Sequence, residues 1–90
     1  MMLDISLQQM KSALEIARTG SISQAAKNLY INQPNLSKSV KDMEEALGIK
    51  LFKRNAKGVI ATKEGELFLR YAESIILKMD AMEREIQRVV

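Results

Sequence analysis

Ninety residues, 47% of them hydrophobic with only four Gly and one Pro, suit one small, mainly helical domain with a modest core. There is no Cys and no His, so disulfides, thiolate metal sites and the commonest general base are excluded, and no catalytic residue, metal or cofactor is expected. The apolar runs are too short to span a membrane and no signal-like N-terminus is visible, so a soluble, cytoplasmic chain is expected.

The net charge of +3 is unevenly spread: residues 1–31 carry three basic and two acidic side chains, 32–63 seven and three, and 64–90 four and six. An anionic partner is therefore expected at the middle of the chain.

Ser6 with Gln9 three residues on has the spacing of a capping box, and Leu7, Met10, Leu14 and Ala17 mark the apolar face of a first helix ending at Gly20. Ser21 and Gln24 repeat the signal, and Ile22, Ala25, Ala26 and Leu29 line one side of a second, short helix. Its two alanines permit a close crossing. Only Tyr30, Ile31 and Asn32 separate it from the next helix, which makes the pair a helix-turn-helix or an ordinary helical hairpin.

Residues 32–48 predict the third helix, with Asn32 as cap, Pro34 in the first turn and Gly48 as stop. Leu36, Val40, Met43 and Leu47 form its buried stripe. Opposite them, near the start, stand Gln33, Asn35, Ser37, Lys38 and Lys41, which can donate to bases or phosphates. The acids Asp42, Glu44 and Glu45 come later. The same pattern would serve a solvated helix face, so the flanking elements must decide.

Ile49, Leu51 and Phe52 interleaved with Lys50 and Lys53, a turn over Arg54–Gly58, and Val59–Ala61 predict a small β-hairpin. Lys53, Arg54 and Lys57 would concentrate positive charge at its tip. Thr62 can cap a last helix of about 28 residues, with Glu64 and Glu66 in a first turn where the macrodipole favours them. Phe68, Ala72, Ile75, Met79, Met82, Ile86 and Val89 recur at alternating spacings of four and three, a heptad seam that a lone helix cannot bury. The first two turns can pack on the chain's own domain, and the rest requires a partner chain.

This order of motifs resembles the DNA-binding region of LysR-type transcriptional regulators, a winged helix-turn-helix followed by a long linker helix. The likeness covers essentially the whole chain. It rests on Gly20-Ser21, Ala25-Ala26, Leu29, Gln33-Pro34, Leu36-Ser37-Lys38, Val40, Met43-Glu44, Leu47-Gly48, Leu51-Phe52, Arg54, Thr62 and Gly65. The resemblance implies a DNA-binding domain over residues 1–62 and a linker helix over 63–90. It implies that Gln33, Pro34, Ser37 and Lys38 face the major groove while Arg54 approaches the adjacent minor groove. It also implies that the linker helices pair antiparallel, so that a homodimer meets two halves of an interrupted palindrome in double-stranded DNA.

The chain departs from the family at Asn32 for the usual Ser, Lys38 for Arg, Ala13 for Phe and Ala61 for Leu. Asn caps as well as Ser, but Lys lacks the planar fork that pairs with guanine, so looser base discrimination is expected there. Loss of the Phe implies that Leu14 or Ile16 repacks the core. Family members continue into a larger effector-binding domain, so a small-molecule effector is expected only of a longer protein. Dimeric, sequence-specific DNA binding competes with a helical interaction module that offers its basic patch to another acidic partner. An enzyme ranks behind both, because Glu44 and Glu45 are adjacent rather than convergent and no nucleophile–base pair or phosphate loop is present.

Overall fold

Each helix begins where a side chain can take over the unpartnered amides of its first turn. In the computed structural model, which describes residues 4–90, α1 spans Leu7–Thr19, α2 Ile22–Leu29, α3 Gln33–Leu47 and α4 Lys63–Val89, with strands β1 Phe52–Asn55 and β2 Gly58–Ala61 between α3 and α4. Ser6 Oγ accepts from Gln9 N at 3.0 Å while Gln9 Oε1 accepts from Ser6 N at 2.9 Å, the predicted capping box. Ser21 Oγ accepts from Gln24 N, Asn32 Oδ1 from Asn35 N and Thr62 Oγ1 from Gly65 N, at 2.8–3.0 Å.

The core joins Ala13 and Ile16 of α1, Ala25 and Ala26 of α2, Leu36, Val40 and Met43 of α3, and Leu51 and Val59 of the hairpin. The buried side of α1 is thus a correction to the sequence reading. Ala17 is exposed and Leu14 half-buried, whereas Ser12, Ala13 and Ile16 face inward. Ile16 is among the largest fully buried side chains and shares the core cluster with Ala13, whereas Leu14 is only half-buried. Ala25 and Ala26, both buried, place α2 close to its neighbours, as expected of small residues at a helix crossing.

The hairpin is antiparallel with Phe52 opposite Ala61 and Asn55 opposite Gly58, so its connection is only Ala56-Lys57. Arg54 therefore lies on β1 and not in the turn where its charge and neighbours had placed it. The hairpin is tied to the end of α1, since Val59 N donates to Gly20 O at 3.0 Å. A Cβ on Gly58, which adopts φ +136°, would stand 2.4 Å from that same carbonyl, so no larger residue fits the approach.

The start of α4 is held as tightly. Thr62 N donates to Leu51 O at 2.9 Å, and a Cβ on the buried Gly65 would stand 2.1 Å from Leu51 O. Phe68 and Leu69 pack against the core and Ala72 is 1% exposed, because this part of α4 crosses α1 and β2. The remainder of the 27-residue helix leaves the domain. No described helix is long and apolar enough to cross a membrane.

Candidate nucleic-acid interface

The helix-turn-helix presents the start of α3, and the hairpin closes in beside it. Gln33, Pro34, Asn35, Lys38 and Lys41 are exposed on α3, because Leu36, Val40 and Met43 take the opposite side into the core. Ser37 is half-buried. Arg54 is paired across the hairpin with buried Val59, and directly opposed residues share a face, so its side chain leans towards the helices. Lys53, opposite exposed Ile60, starts from the other face of the strand, yet part of the residue still borders the space beside α3.

Two adjoining hollows result. One, of about 240 Å³, lies between α3 and the hairpin and brings Ser37 and Lys41 together with Lys53 and Arg54. The other, of about 210 Å³, joins Gln33, Arg54 and Lys57 to Ser21 and Ser23 at the start of α2. Arg54 lines both. Pro34, Asn35 and Lys38 line neither and stand exposed on α3 outside them. Ser21 and Ser23 were not among the residues the sequence singled out for binding, since Ser21 reads as a cap and nothing local marks Ser23.

The electrostatics favour an anion. Lys41, Lys53, Arg54 and Lys57 take no part in the ion pairs found among the described residues, so their charges remain free for a partner. Lys38 is the exception: its Nζ lies 3.1 Å from Asp42 Oδ2, one turn on, although its side chain is 76% exposed. An exposed pair of this kind contributes about 0–1 kcal/mol, little enough for a stronger acceptor to displace. Glu44, the acid within the larger hollow, is occupied. Its Oε2 accepts from Leu51 N at 2.7 Å and Lys50 Nζ lies 3.8 Å from its Oε1.

A short chain of polar side chains links α1 to α2 through Asn28 and Glu15. Gln24 Nε2 donates to Asn28 Oδ1 at 2.9 Å, Asn28 Nδ2 donates to Glu15 Oε2 at 2.7 Å, and Arg18 pairs with the same carboxylate. The hydrogen bond from Arg18, then that from Asn28, holds the Glu15 carboxyl down to about 2.

The heptad seam divides where α4 leaves the domain. Phe68, within the first two turns that can pack on the domain, lies against the core, and Ala72, in the part expected to meet a partner chain, is buried by the chain itself as well, because spacing alone does not distinguish an internal neighbour from an external one. Ile75, Met82 and Ile86 remain 40%, 47% and 50% exposed, and Met79 is half-buried. Tyr71 and Val89 extend the exposed strip on the same side.

The sequence profile described as "Bacterial regulatory helix-turn-helix protein, lysR family" matches residues 7–66. The chain is 41% identical over 83 residues to the uncharacterized HTH-type transcriptional regulator YcgK of Bacillus subtilis (strain 168), covering 92% of this chain and 26% of that protein. It thus spans about a quarter of the length of that relative. Among solved structures, the BenM DNA-binding domain in complex with catB site 1 DNA superposes with a TM-score of 0.89 at 32% identity, over 94% of this chain and 91% of that one. The DNA complex of the CbnR DNA-binding domain superposes with a TM-score of 0.81 at 28% identity, over 94% and 97%.

Proposed function

We propose, from the premise that this chain belongs to the LysR family of bacterial regulatory helix-turn-helix proteins, that it is the sequence-reading part of a dimeric transcriptional regulator. Residues 1–62 bind double-stranded DNA and residues 63–90 pair one chain with another. The observation that carries this reading is the convergence of Gln33, Ser37 and Lys41 from α3 with Lys53, Arg54 and Lys57 from the hairpin, all of these cations being free of ion pairs among the described residues. A helix start of this kind fits the major groove, where amide, hydroxyl and ammonium donors meet base edges and phosphates. Arg54, held to one side on a narrow hairpin, reaches the adjacent minor groove, whose potential is most negative where A·T-rich sequence narrows it.

The exposed strip from Ile75 to Ile86 is covered by a second copy of the chain, which sets two recognition helices on two half-sites of an interrupted palindrome. The chain acts in the cytoplasm as a binding module rather than an enzyme, without a cofactor. Glu44 has its carboxylate committed to Leu51 and Lys50, which leaves no free acid pair at the site. A small-molecule effector acts only through the larger regulator of which such a domain forms the DNA-binding part.

Titration of a cognate and a scrambled duplex at several salt concentrations tests this reading. Affinity for both falls with salt as counterions are recaptured, while the cognate remains at least about 10³-fold tighter. Equal affinity for the two duplexes at every salt concentration refutes sequence reading.

A further inference from the structure

Leu51 is where α3, the hairpin and α4 meet, and its peptide is held from both sides. Its amide donates to Glu44 Oε2 at 2.7 Å, its carbonyl accepts from Thr62 N at 2.9 Å, and its side chain is fully buried. Glu44 also supplies the carbonyl that ends α3, accepting from Gly48 N at 2.8 Å and Ile49 N at 3.2 Å. One residue therefore both closes the recognition helix and holds the first residue before the hairpin, two positions before Lys53 and three before Arg54. Its side chain, 12% exposed, lines the hollow in which Ser37, Lys41, Lys53 and Arg54 converge.

An acid lining a hollow built of cations opposes an anionic partner unless its own charge is occupied. Here Oε2 is taken by the Leu51 amide and Oε1 faces the Lys50 ammonium. We infer that Glu44 is a positioning residue for the wing. It fixes the distance between α3 and Arg54, so that the major-groove and minor-groove contacts are made together by one rigid unit. Two contacts on a rigid support bind with an effective concentration that two loosely joined contacts lack. The inference rests on the DNA-binding reading above, with Arg54 in the minor groove.

Two conservative variants separate reach from charge. Glu44→Gln keeps an oxygen at the length needed by the Leu51 amide and loses the charge, whereas Glu44→Asp keeps the charge and is one methylene too short. Each is crossed with Arg54→Ala and titrated on one recognition sequence flanked by A·T or by G·C pairs. In the native background Arg54→Ala costs about tenfold on the A·T-flanked duplex and less on the other. Glu44→Gln retains that loss to within about twofold. Glu44→Asp loses the flank preference, and adding Arg54→Ala to it then costs less than about twofold, the non-additivity expected of residues that act through one another. A full Arg54→Ala loss in the Asp background, or failure of the Gln variant alongside it, overturns the assignment. If Arg54→Ala costs nothing on either flank in the native background, the minor-groove reading falls, and this inference with it.

Discussion

Replacing Gly65 by Ala sets two physical effects against each other with opposite signs. Helix propensity alone favours the substitution by about 1 kcal/mol, because glycine loses more backbone freedom on entering a helix. The structure opposes it: the new Cβ would lie 2.1 Å from Leu51 O and 2.9 Å from Leu51 C. Carbon–oxygen contacts settle at about 3.3–3.6 Å, so α4 must retreat by more than about 1 Å. Neither group in the clash can swing away, since one is helix backbone and the other a carbonyl hydrogen-bonded to Thr62 N at 2.9 Å. The retreat weakens that bond and the Thr62 cap on Gly65, each contributing about 1 kcal/mol, and adds an overpacking cost of about 1–3 kcal/mol. After the propensity gain is subtracted, Gly65→Ala destabilises by about 2–4 kcal/mol, which for a domain of this size lowers Tm by roughly 10–30 °C. Thermal unfolding followed by circular dichroism at one fixed protein concentration measures it. An unchanged or raised Tm would show that α4 is not wedged against Leu51 and would refute the packing argument.

Other perturbations separate the remaining contributions. Lys38→Ala weakens the cognate duplex by about 1–3 kcal/mol and flattens discrimination if its ammonium leaves Asp42 for a base, whereas a uniform loss on all duplexes identifies a phosphate contact. Ile75→Asp with Met82→Asp, both partly exposed in the isolated chain, dissociates the dimer in sedimentation while leaving the helical spectrum intact, and full-site affinity falls towards that of a half-site. A double variant that remains dimeric rules out this strip as the pairing surface. Glu15→Gln is less stable than the native chain near neutral pH. Because the Glu15 carboxyl is held at about 2 against an ordinary 4.5, its stabilisation is complete above 4.5 and disappears as pH falls towards 2, so the two melting curves converge across that interval. A constant gap between them contradicts the assigned role of Arg18 and Asn28.

Much of this architecture is written in short stretches of chain. Ser6, Ser21, Asn32 and Thr62 cap helices through contacts three residues away, and such contacts are legible wherever they occur. The stripe of α3 was legible because Leu36, Val40 and Met43 are large and leave no rival face. On α1 the rival existed: Leu14 and Ala17 are apolar, yet the neighbours lie on the side of Ala13 and Ile16, which only the crossing of α2 and α4 decides. The charges of the wing identified its residues but not its register, so Arg54 was placed in a turn that Ala56-Lys57 occupies. Glu44 was illegible for a different reason. Beside Glu45 it resembles any solvated acid, and its partner seven residues on comes within reach only after Gly48 has reversed the chain.

The seating of Gly65 on Leu51 also makes α4 a lever. At 1.5 Å per residue, the helix carries Ile86 about 30 Å from its anchorage at Gly65. A tilt of about 5° at that anchorage moves the far end by about 3 Å, comparable to half a helical turn. Read in reverse, a displacement of that size imposed at Ile86 by a partner helix reaches the domain as a rotation of only a few degrees. Its short arm ends on the Leu51 peptide that Glu44 ties to α3, so such a rotation would enter the domain at a single residue.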